Sequence, residues 1–146
     1  MPAKQFVINK IREFDAFYLS RLSKRQQSVA INVPLTLTQA RVLEEIAKAK
    51  ETSSSAISHS LSIDKSQLSH ILKDFEHNRL IQRIRNTKDK RIFRISLTVK
   101  GTEYAKSLSN AQNRALQREL ESLSPENQMQ LISAMRDIQM LLDTKL

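Results

Sequence analysis

Glycine and proline, the residues that most favour chain reversal, are scarce in this sequence. Its 146 residues contain one glycine, Gly101, and three prolines, Pro2, Pro34 and Pro125. An all-β protein would need a turn roughly every ten residues, and such turns favour glycine and proline. The sequence therefore predicts a mainly α-helical fold. The chain is long enough to bury a core, although it has no cysteine for disulfides.

Apolar residues recur at helical spacing in the first and last parts of the chain. A long amphipathic helix is predicted from residue 4 to about 27, because its apolar residues lie three or four positions apart. Asn32-Val33-Pro34 breaks the pattern, and Thr38 is expected to cap a second helix that runs to about residue 49. Thr98 is expected to start another long helix, and Ser124-Pro125 the last one.

The middle of the chain has the pattern of a helix-turn-helix followed by a β-hairpin. A short helix is predicted to follow the hydroxyl-rich run 52–55, and Asp64 is expected to cap a second helix. From Ile81 to Leu97, β-favouring residues lie on both sides of a polar tip at 86–90. A helix-turn-helix with such a hairpin, or wing, is a winged helix. The predicted fold class is mainly α with a small β-wing.

Positive charge is concentrated in the predicted wing. Between Arg79 and Lys100 there are eight basic residues and one acid, Asp89, and the whole chain has a formal net charge of +9. Such charge attracts polyanions, which are nucleic acids or anionic membranes. The position of the hairpin directly after the helix-turn-helix favours double-stranded DNA. Single-stranded RNA is disfavoured because aromatic residues, which stack on bases, are only 5% of the chain.

Four ordered motifs resemble the MarR family of bacterial regulators over about residues 35–104. They are Leu37-Thr38-Gln39-Ala40-Arg41-Val42-Leu43, Ile63-Asp64-Lys65-Ser66-Gln67-Leu68-Ser69, Asp89-Lys90-Arg91 and Leu97-Thr98-Val99-Lys100-Gly101. The flanking helices are similar in pattern to the regulatory half of MarR proteins fused to a GNAT-type acetyltransferase. We expect any acetyltransferase activity to lie outside this chain.

The resemblance implies one MarR-type domain over residues 1–146. It consists of a winged helix DNA-binding part at 35–100 and dimerisation helices at 3–30 and 101–146, whose wide apolar faces are expected to pair with a second copy. The chain departs from the family pattern at two usual glycine positions, which here are Ser62 and Arg79. Asn78 is expected to adopt the left-handed backbone conformation in place of the second glycine.

The second helix of the helix-turn-helix is the predicted recognition helix. If Leu68, Ile71, Leu72 and Phe75 face the core, the polar residues between them face outward. Glutamine can pair with adenine, and serine and histidine can bond to base edges or phosphates, so this face is predicted to contact DNA. The alternative is a merely solvated face. The predicted contacts are Lys65, Ser66, Gln67, Ser69, His70 and Lys73.

In the wing, the resemblance implies that Arg91 enters the minor groove, where arginine is attracted by narrow A/T tracts. Asp89 is expected to orient Arg91 or a neighbouring arginine. Arg85, Lys88, Lys90 and Arg94 are expected to contact phosphates or to act at long range.

Two further sets of residues are candidates for ligand contacts. Thr52, Ser53 and Ser54 would contact a DNA phosphate at a helix N-terminus, although plain helix capping explains them equally well. The family resemblance implies a pocket for a small amphipathic anion between the dimerisation helices and the winged helix. Ordinary packing is the alternative for its candidate lining residues, which are Phe14, Phe17, Tyr18, Arg41, Val42 and Ile46.

No metal, cofactor or catalytic site is predicted. The histidines His59, His70 and His77 lack a third ligand at suitable spacing, and no catalytic constellation stands out. No signal peptide or long apolar run is present, so we expect a cytoplasmic protein without a membrane partner.

The predicted function is a homodimeric transcriptional regulator, expected to act as a repressor on a pseudo-palindromic operator in double-stranded DNA. A two-fold dimer would place its recognition helices about one DNA turn apart. A small-molecule effector would relieve binding by changing that distance. The alternative is a winged-helix protein-interaction or assembly module, for example a regulatory partner of a separate acetyltransferase.

Overall fold

A computed structural model of the protein describes residues 1–29 and 34–143, which form six helices and one two-stranded sheet. Contacts divide the chain into two units, Met1–Gln112 and Asn113–Leu146. The elements in chain order are α1 (Lys4–Gln27), α2 (Leu37–Ala49), α3 (Ser54–Leu61), α4 (Lys65–His77), β1 (Ile81–Arg85), β2 (Phe93–Leu97), α5 (Val99–Leu120) and α6 (Pro125–Leu142). The predicted mainly α fold with a β-wing is confirmed. Of the predicted break at residues 32–34, only Pro34 lies within the described residues.

The core of the first unit is built mainly from α2, α3, α4 and the wing. Its fully buried side chains are aliphatic, and burial of each stabilises the fold by roughly 1.5–3 kcal/mol. The largest of them are Leu43, Ile46, Ile57, Leu68, Leu72, Ile95 and Leu108. The helix-turn-helix and the wing therefore share one hydrophobic core.

Side-chain caps fix where the helices begin. Asp64 accepts hydrogen bonds from the backbone N–H groups of Ser66 and Gln67 at 2.9 and 3.2 Å, which confirms its predicted role. The predicted cap at Thr38 is wrong, because Thr36 and Gln39 form a capping box. The Gln39 N–H donates to the Thr36 hydroxyl at 3.2 Å, and the Thr36 N–H donates to the Gln39 side chain at 3.0 Å. This reciprocal pair satisfies two otherwise unpaired donors and so outcompetes a single hydroxyl.

Helix α4, the predicted recognition helix, ends in a Schellman motif in which Arg79, and not Asn78, is left-handed. Arg79 has a φ of 59°, whereas Asn78 remains near the helical region with a φ of −80°. The Leu80 N–H donates to the Phe75 carbonyl at 2.8 Å and the Arg79 N–H to the Glu76 carbonyl at 3.0 Å, which is the motif's hydrogen-bond pair. The prediction for Asn78 is wrong because the motif places its left-handed residue one position later. Ser62 is also left-handed, with a φ of 51°.

The wing is an antiparallel hairpin joined on one side to the segment before α3. Ile81 faces Leu97 at one end of the strand pair, and Arg85 faces Phe93 at the other. Thr52 and Ile95 exchange two backbone hydrogen bonds of 2.9 and 2.7 Å on the edge of β2 that does not pair with β1. The base of the hairpin is therefore anchored to the helix-turn-helix through its backbone.

Helices α1 and α6 each expose most of their apolar side chains. Gln26 is the one residue of α1 that is buried, and none of the residues of α6, all of which are described, is buried. In α1 the exposed apolar residues are Phe6, Val7, Ile11, Phe14, Phe17, Tyr18 and Leu19. In α6 they are Met129, Leu131, Ile132, Met135, Ile138, Met140, Leu141 and Leu142.

Candidate nucleic-acid interface

Helix α4 separates an apolar face from a polar face. Leu68, Ile71, Leu72 and Phe75 are buried against the core. The six residues predicted to contact DNA, Lys65, Ser66, Gln67, Ser69, His70 and Lys73, are all exposed. Their side chains supply hydrogen-bond donors and acceptors and two positive charges, the chemistry that base edges and phosphates require.

The tip of the wing is ordered by hydrogen bonds from side chains to the backbone. The side-chain oxygen of Asn86 accepts from the N–H groups of Lys88 and Asp89 at 2.8 and 3.3 Å. The Asn86 N–H donates to the Ile92 carbonyl at 2.8 Å, and the Ile92 N–H donates to the Asp89 carbonyl at 3.1 Å. A tip held at this many points presents its side chains in a defined arrangement.

Asp89 contacts Arg91, as expected from the sequence. One carboxylate oxygen of Asp89 accepts from the Arg91 backbone N–H at 3.0 Å and lies 3.3 Å from its Nε. The Arg91 side chain is nevertheless 92% exposed. The ion pair therefore restrains the start of the guanidinium while its outer nitrogen atoms stay accessible to a ligand.

The other basic residues of the wing have different environments. The Arg85 guanidinium lies 5.3 Å from the centre of the Phe93 ring. Arg94, predicted to act on phosphates, forms an ion pair with Glu51. Lys88 and Lys90 are exposed and have no ion-pair partner among the residues that the structure describes. Among the described residues, the charges of Arg85, Lys88 and Lys90 are therefore the wing charges that no acid pairs with.

The hydroxyl-rich segment before α3 serves mainly as a helix start. The Ser53 hydroxyl accepts from the Ala56 N–H at 3.2 Å and caps α3. Thr52 is half-buried in its bridge to Ile95, and Ser54 is exposed in the first turn of the helix. Capping thus accounts for Ser53, and Ser54 is the most accessible of the three predicted phosphate contacts.

A junction at the start of α5 fixes the end of the recognition helix. The Thr98 hydroxyl donates to the Arg79 carbonyl at 2.6 Å, and the Lys100 ammonium donates to the Asn78 carbonyl at 2.9 Å. A Cβ atom on Gly101 would lie 1.9 Å from the Leu80 carbonyl oxygen, so glycine is required by this close approach. From the sequence, Thr98 was predicted only as a helix start, and its bond to the end of α4 was not foreseen.

The residues predicted to line an effector pocket are not brought together around one cleft. Ile46 lies in a cleft of about 450 Å³ between α2 and α5, whose polar walls are formed by Lys50, Thr102, Lys106 and Ser109. Phe14, Phe17 and Tyr18 are instead exposed on α1, where Phe14 stacks on Tyr18. Arg41 is exposed and donates to the Leu61 carbonyl at 3.4 Å. Val42 is fully buried.

Metal ions and membranes are two other possible partners of the described residues. Over residues 1–29 and 34–143, no group of three or more histidine, cysteine, aspartate or glutamate residues is arranged to hold a metal ion. Over the same residues, no helix combines the length and apolar character needed to cross a membrane.

Comparison with known proteins identifies one matching family. The family model described as "Transcriptional regulator SarA/Rot" matches residues 24–108, which include α2, α3, α4, both strands and the junction at Thr98. Curated protein sequences give no match.

Solved structures give matches over nearly the whole chain. A MarR family protein from Bacillus stearothermophilus has a TM-score of 0.78 and 20% identity, covering 98% of this chain and 100% of that one. FabT from Streptococcus pneumoniae, solved in complex with DNA, has a TM-score of 0.75 and 16% identity, with 93% and 97% covered. BpsR from Bordetella bronchiseptica, whose DNA binding is regulated by 6-hydroxynicotinic acid, has a TM-score of 0.75 and 15% identity, with 89% and 98% covered. At these identities the similarity shows the fold alone.

Proposed function

Because this chain belongs to the SarA/Rot family of transcriptional regulators, we propose that it is a homodimeric repressor of a pseudo-palindromic operator in double-stranded DNA. Its fold is the winged helix of MarR-type DNA-binding regulators, and its family is one of regulators and not of enzymes. A repressor of this kind acts in the cytoplasm, where its operator is.

The DNA-binding part of this proposal rests on one observation: the polar face of α4 is exposed, and the wing that follows it exposes Arg91. In this proposal α4 lies in the major groove, where Gln67 and His70 contact base edges and Lys65, Ser66, Ser69 and Lys73 contact bases or phosphates. Arg91 enters the adjacent minor groove, and the charges of Arg85, Lys88 and Lys90 follow the phosphates. Ser54, with Thr52 and Ser53 beside it, lies at a helix N-terminus suited to a further phosphate.

Homodimerisation is supported by the apolar side chains that α1 and α6 leave exposed. Phe17 is 62% exposed, and Met140 and Leu141 are 72% and 76% exposed. Large apolar side chains exposed along a helix mark an interaction site, because exposing them to water is unfavourable. A second copy of the same chain would cover both helices in a two-fold arrangement and would set the spacing of the two recognition helices.

The effector is proposed to bind in the cleft between α2 and α5. Ala47 and Leu97 offer an apolar wall over the buried Ile46, whereas the ammonium groups of Lys50 and Lys106 offer two positive charges. A small anion with an apolar body fits this combination. The cleft lies between α2, which packs on the first helix of the helix-turn-helix, and α5, which follows the wing. A bound molecule would change the angle between α2 and α5 and so shift the population of DNA-binding dimers.

The DNA-binding proposal is tested by fluorescence anisotropy with duplexes that tile the region upstream of the protein's own gene. We expect one duplex to bind far more tightly than the rest, with affinity that falls steeply as salt concentration rises. Gln67→Ala should weaken binding to that duplex by roughly 10-fold and leave its salt dependence unchanged. Lys88→Ala should reduce the slope of log affinity against log salt concentration by about one counterion. Equal, weak binding to every duplex would contradict the proposal and favour a protein-interaction module.

The dimer is tested by light scattering coupled to size-exclusion chromatography. We expect twice the mass of one chain for the native protein. Met135→Glu, which places a charge on the exposed apolar side of α6, should shift the protein towards the monomer. Gln130→Glu adds an equal charge to an exposed polar side chain on the other side of the same helix and should not. A native protein with the mass of one chain would exclude the proposed assembly.

A further inference from the structure

Arg83 differs from the other basic residues of the wing because its side chain lies on the buried face of the hairpin. In β1 it shares a face with the buried Ile81, and its register partner on β2 is the fully buried Ile95. Its side chain is 23% exposed, whereas that of Arg91 is 92% exposed. Arg83 therefore lies towards the helical body of the protein and away from the tip that is proposed to contact DNA.

The guanidinium of Arg83 is held by charge and has few hydrogen bonds. Its Nε lies 3.4 Å from a carboxylate oxygen of Glu76, which is within ion-pair distance. Neither Nε nor Nη2 makes an aligned hydrogen bond to the described residues, and neither is accessible to water. A guanidinium in this setting gains little hydration, so its placement depends on the carboxylate beside it.

Glu76 lies in the last turn of the recognition helix, so the ion pair links the two elements proposed to contact DNA. Along the chain, α4 and β1 are separated by the Schellman turn at Asn78, Arg79 and Leu80. The Arg83–Glu76 pair spans this turn through space. On the opposite face of the hairpin, Arg94 of β2 is similarly paired with Glu51. The wing is thus tied to the helical body by one ion pair on each face.

We infer that Arg83 is a positioning residue that sets the wing relative to the recognition helix through Glu76, without touching DNA itself. This inference rests on the proposed function, because the relative placement matters for a protein that contacts two adjacent grooves at once. Contacts in the second groove form at little further entropic cost when the wing is already correctly placed. Loosening the pair allows the wing to move, so that Arg91 contributes less to binding.

The first test measures the placement in the free protein. The chain has no native cysteine, so Lys73→Cys on α4 and Lys90→Cys on the wing provide the two sites for spin labels and a distance distribution by pulsed electron paramagnetic resonance. Glu76→Gln and, separately, Arg83→Lys should broaden that distribution. Asp74→Asn removes an exposed acid from the same helix and serves as the matched control. An unchanged distribution in Glu76→Gln and Arg83→Lys would overturn the inference, whether or not the protein binds DNA.

The second test uses the sign of the effect on operator affinity. Removing an acid near DNA should by itself strengthen binding, because it reduces repulsion of the phosphates. We therefore expect Asp74→Asn to strengthen operator binding. Glu76→Gln should instead weaken it by roughly fivefold, which is the size of a modest coupling between contacting residues. Equal strengthening in both variants would show that Glu76 is only a surface charge and would overturn the inference.

A double-mutant cycle connects the pair to the wing contact. Arg91→Ala should weaken operator binding less in the Glu76→Gln background than in the native one. Equal losses in both backgrounds would overturn the inference while leaving the proposed function intact. Failure of the native protein to prefer any duplex would instead contradict the proposed function, and the distance measurement would still decide the role of Arg83.

Discussion

The Thr98 hydroxyl donates a 2.6 Å hydrogen bond to the carbonyl oxygen of Arg79, the left-handed residue that ends the recognition helix. The same hydroxyl accepts from the Gly101 N–H at 3.0 Å, so one side chain both starts α5 and secures the end of α4. The C-terminal end of α4 is therefore held in part by residues that follow the wing in the sequence.

Thr98→Val is expected to destabilise the protein. Valine keeps the side chain's shape but leaves the Arg79 carbonyl and the Gly101 N–H without this partner, a loss of about 1–3 kcal/mol in the free energy of unfolding. Urea denaturation followed by circular dichroism measures this change. Thr102→Val is the control. The Thr102 hydroxyl donates to the Thr98 carbonyl one turn earlier, so this bond stays within the start of α5 and does not reach the end of α4. Equal losses in the two variants would contradict a special role for the junction.

Arg79→Gly is expected to stabilise the fold. A left-handed conformation strains a residue that has a Cβ atom, and the relief should outweigh the extra backbone entropy of glycine by about 0.5–1 kcal/mol. Arg79→Ala removes the same charge but keeps the strain, so it should leave stability nearly unchanged. Thermal unfolding of the two variants compares them directly. A melting temperature no higher for glycine than for alanine would show that the turn is unstrained.

Gly101→Ala is expected to be severely destabilising. The new methyl group would overlap the Leu80 carbonyl oxygen. That oxygen is held by the Thr98 N–H at 3.0 Å, and the Gly101 N–H is held by the Thr98 hydroxyl. Relieving the overlap requires α5 to move away from the start of β1, at a cost of about 3 kcal/mol or more. Val99→Ala, at a residue that is 80% exposed, is the control and should change stability little. A normal unfolding midpoint for Gly101→Ala would refute the close approach.

Asp89→Asn is expected to weaken operator binding although it removes a negative charge. Asparagine can still accept from the Arg91 N–H, but it no longer attracts the guanidinium, so Arg91 is less well oriented. The pair is largely exposed and solvent screens it, which limits the loss to about two- to fivefold. Binding to an unrelated duplex, measured in parallel, should strengthen slightly because repulsion of phosphates falls. A gain in operator affinity equal to the gain on the unrelated duplex would argue against an orienting role.

Features that depend on neighbouring residues in the chain could be predicted from the sequence. Helical spacing located the helices, and the caps at Asp64 and Ser124 follow from a short polar side chain before an apolar run. The prediction at Thr38 overlooked a glutamine three residues after Thr36, which is a local signal and was available. The motifs from residue 37 to 101 indicated the MarR-type fold that the comparisons confirm.

Features that depend on distant residues could not be predicted in the same way. The partners of Arg94, Lys100 and Thr98 lie about 20 to 40 positions earlier in the sequence. Charge alone therefore made Arg94 look available to phosphates. Arg83 carried one usable signal: it lies two residues after the buried Ile81 in an alternating strand, which places it on the inner face. The aromatic residues of α1 were assigned to a pocket because helical spacing alone cannot tell a residue that lines a cavity from one on an exposed helix face.

The lack of any buried side chain in α6 has a consequence for how much of this regulator a cell can retain. If association of two chains covers α6, its folding free energy depends on protein concentration, so the melting temperature should rise as the protein is concentrated. Newly made chains below the association threshold would expose the helix and be degraded by proteases faster than assembled ones. Proteolytic turnover would then set a minimum abundance for repression, and the response to gene dosage would be steeper than proportional.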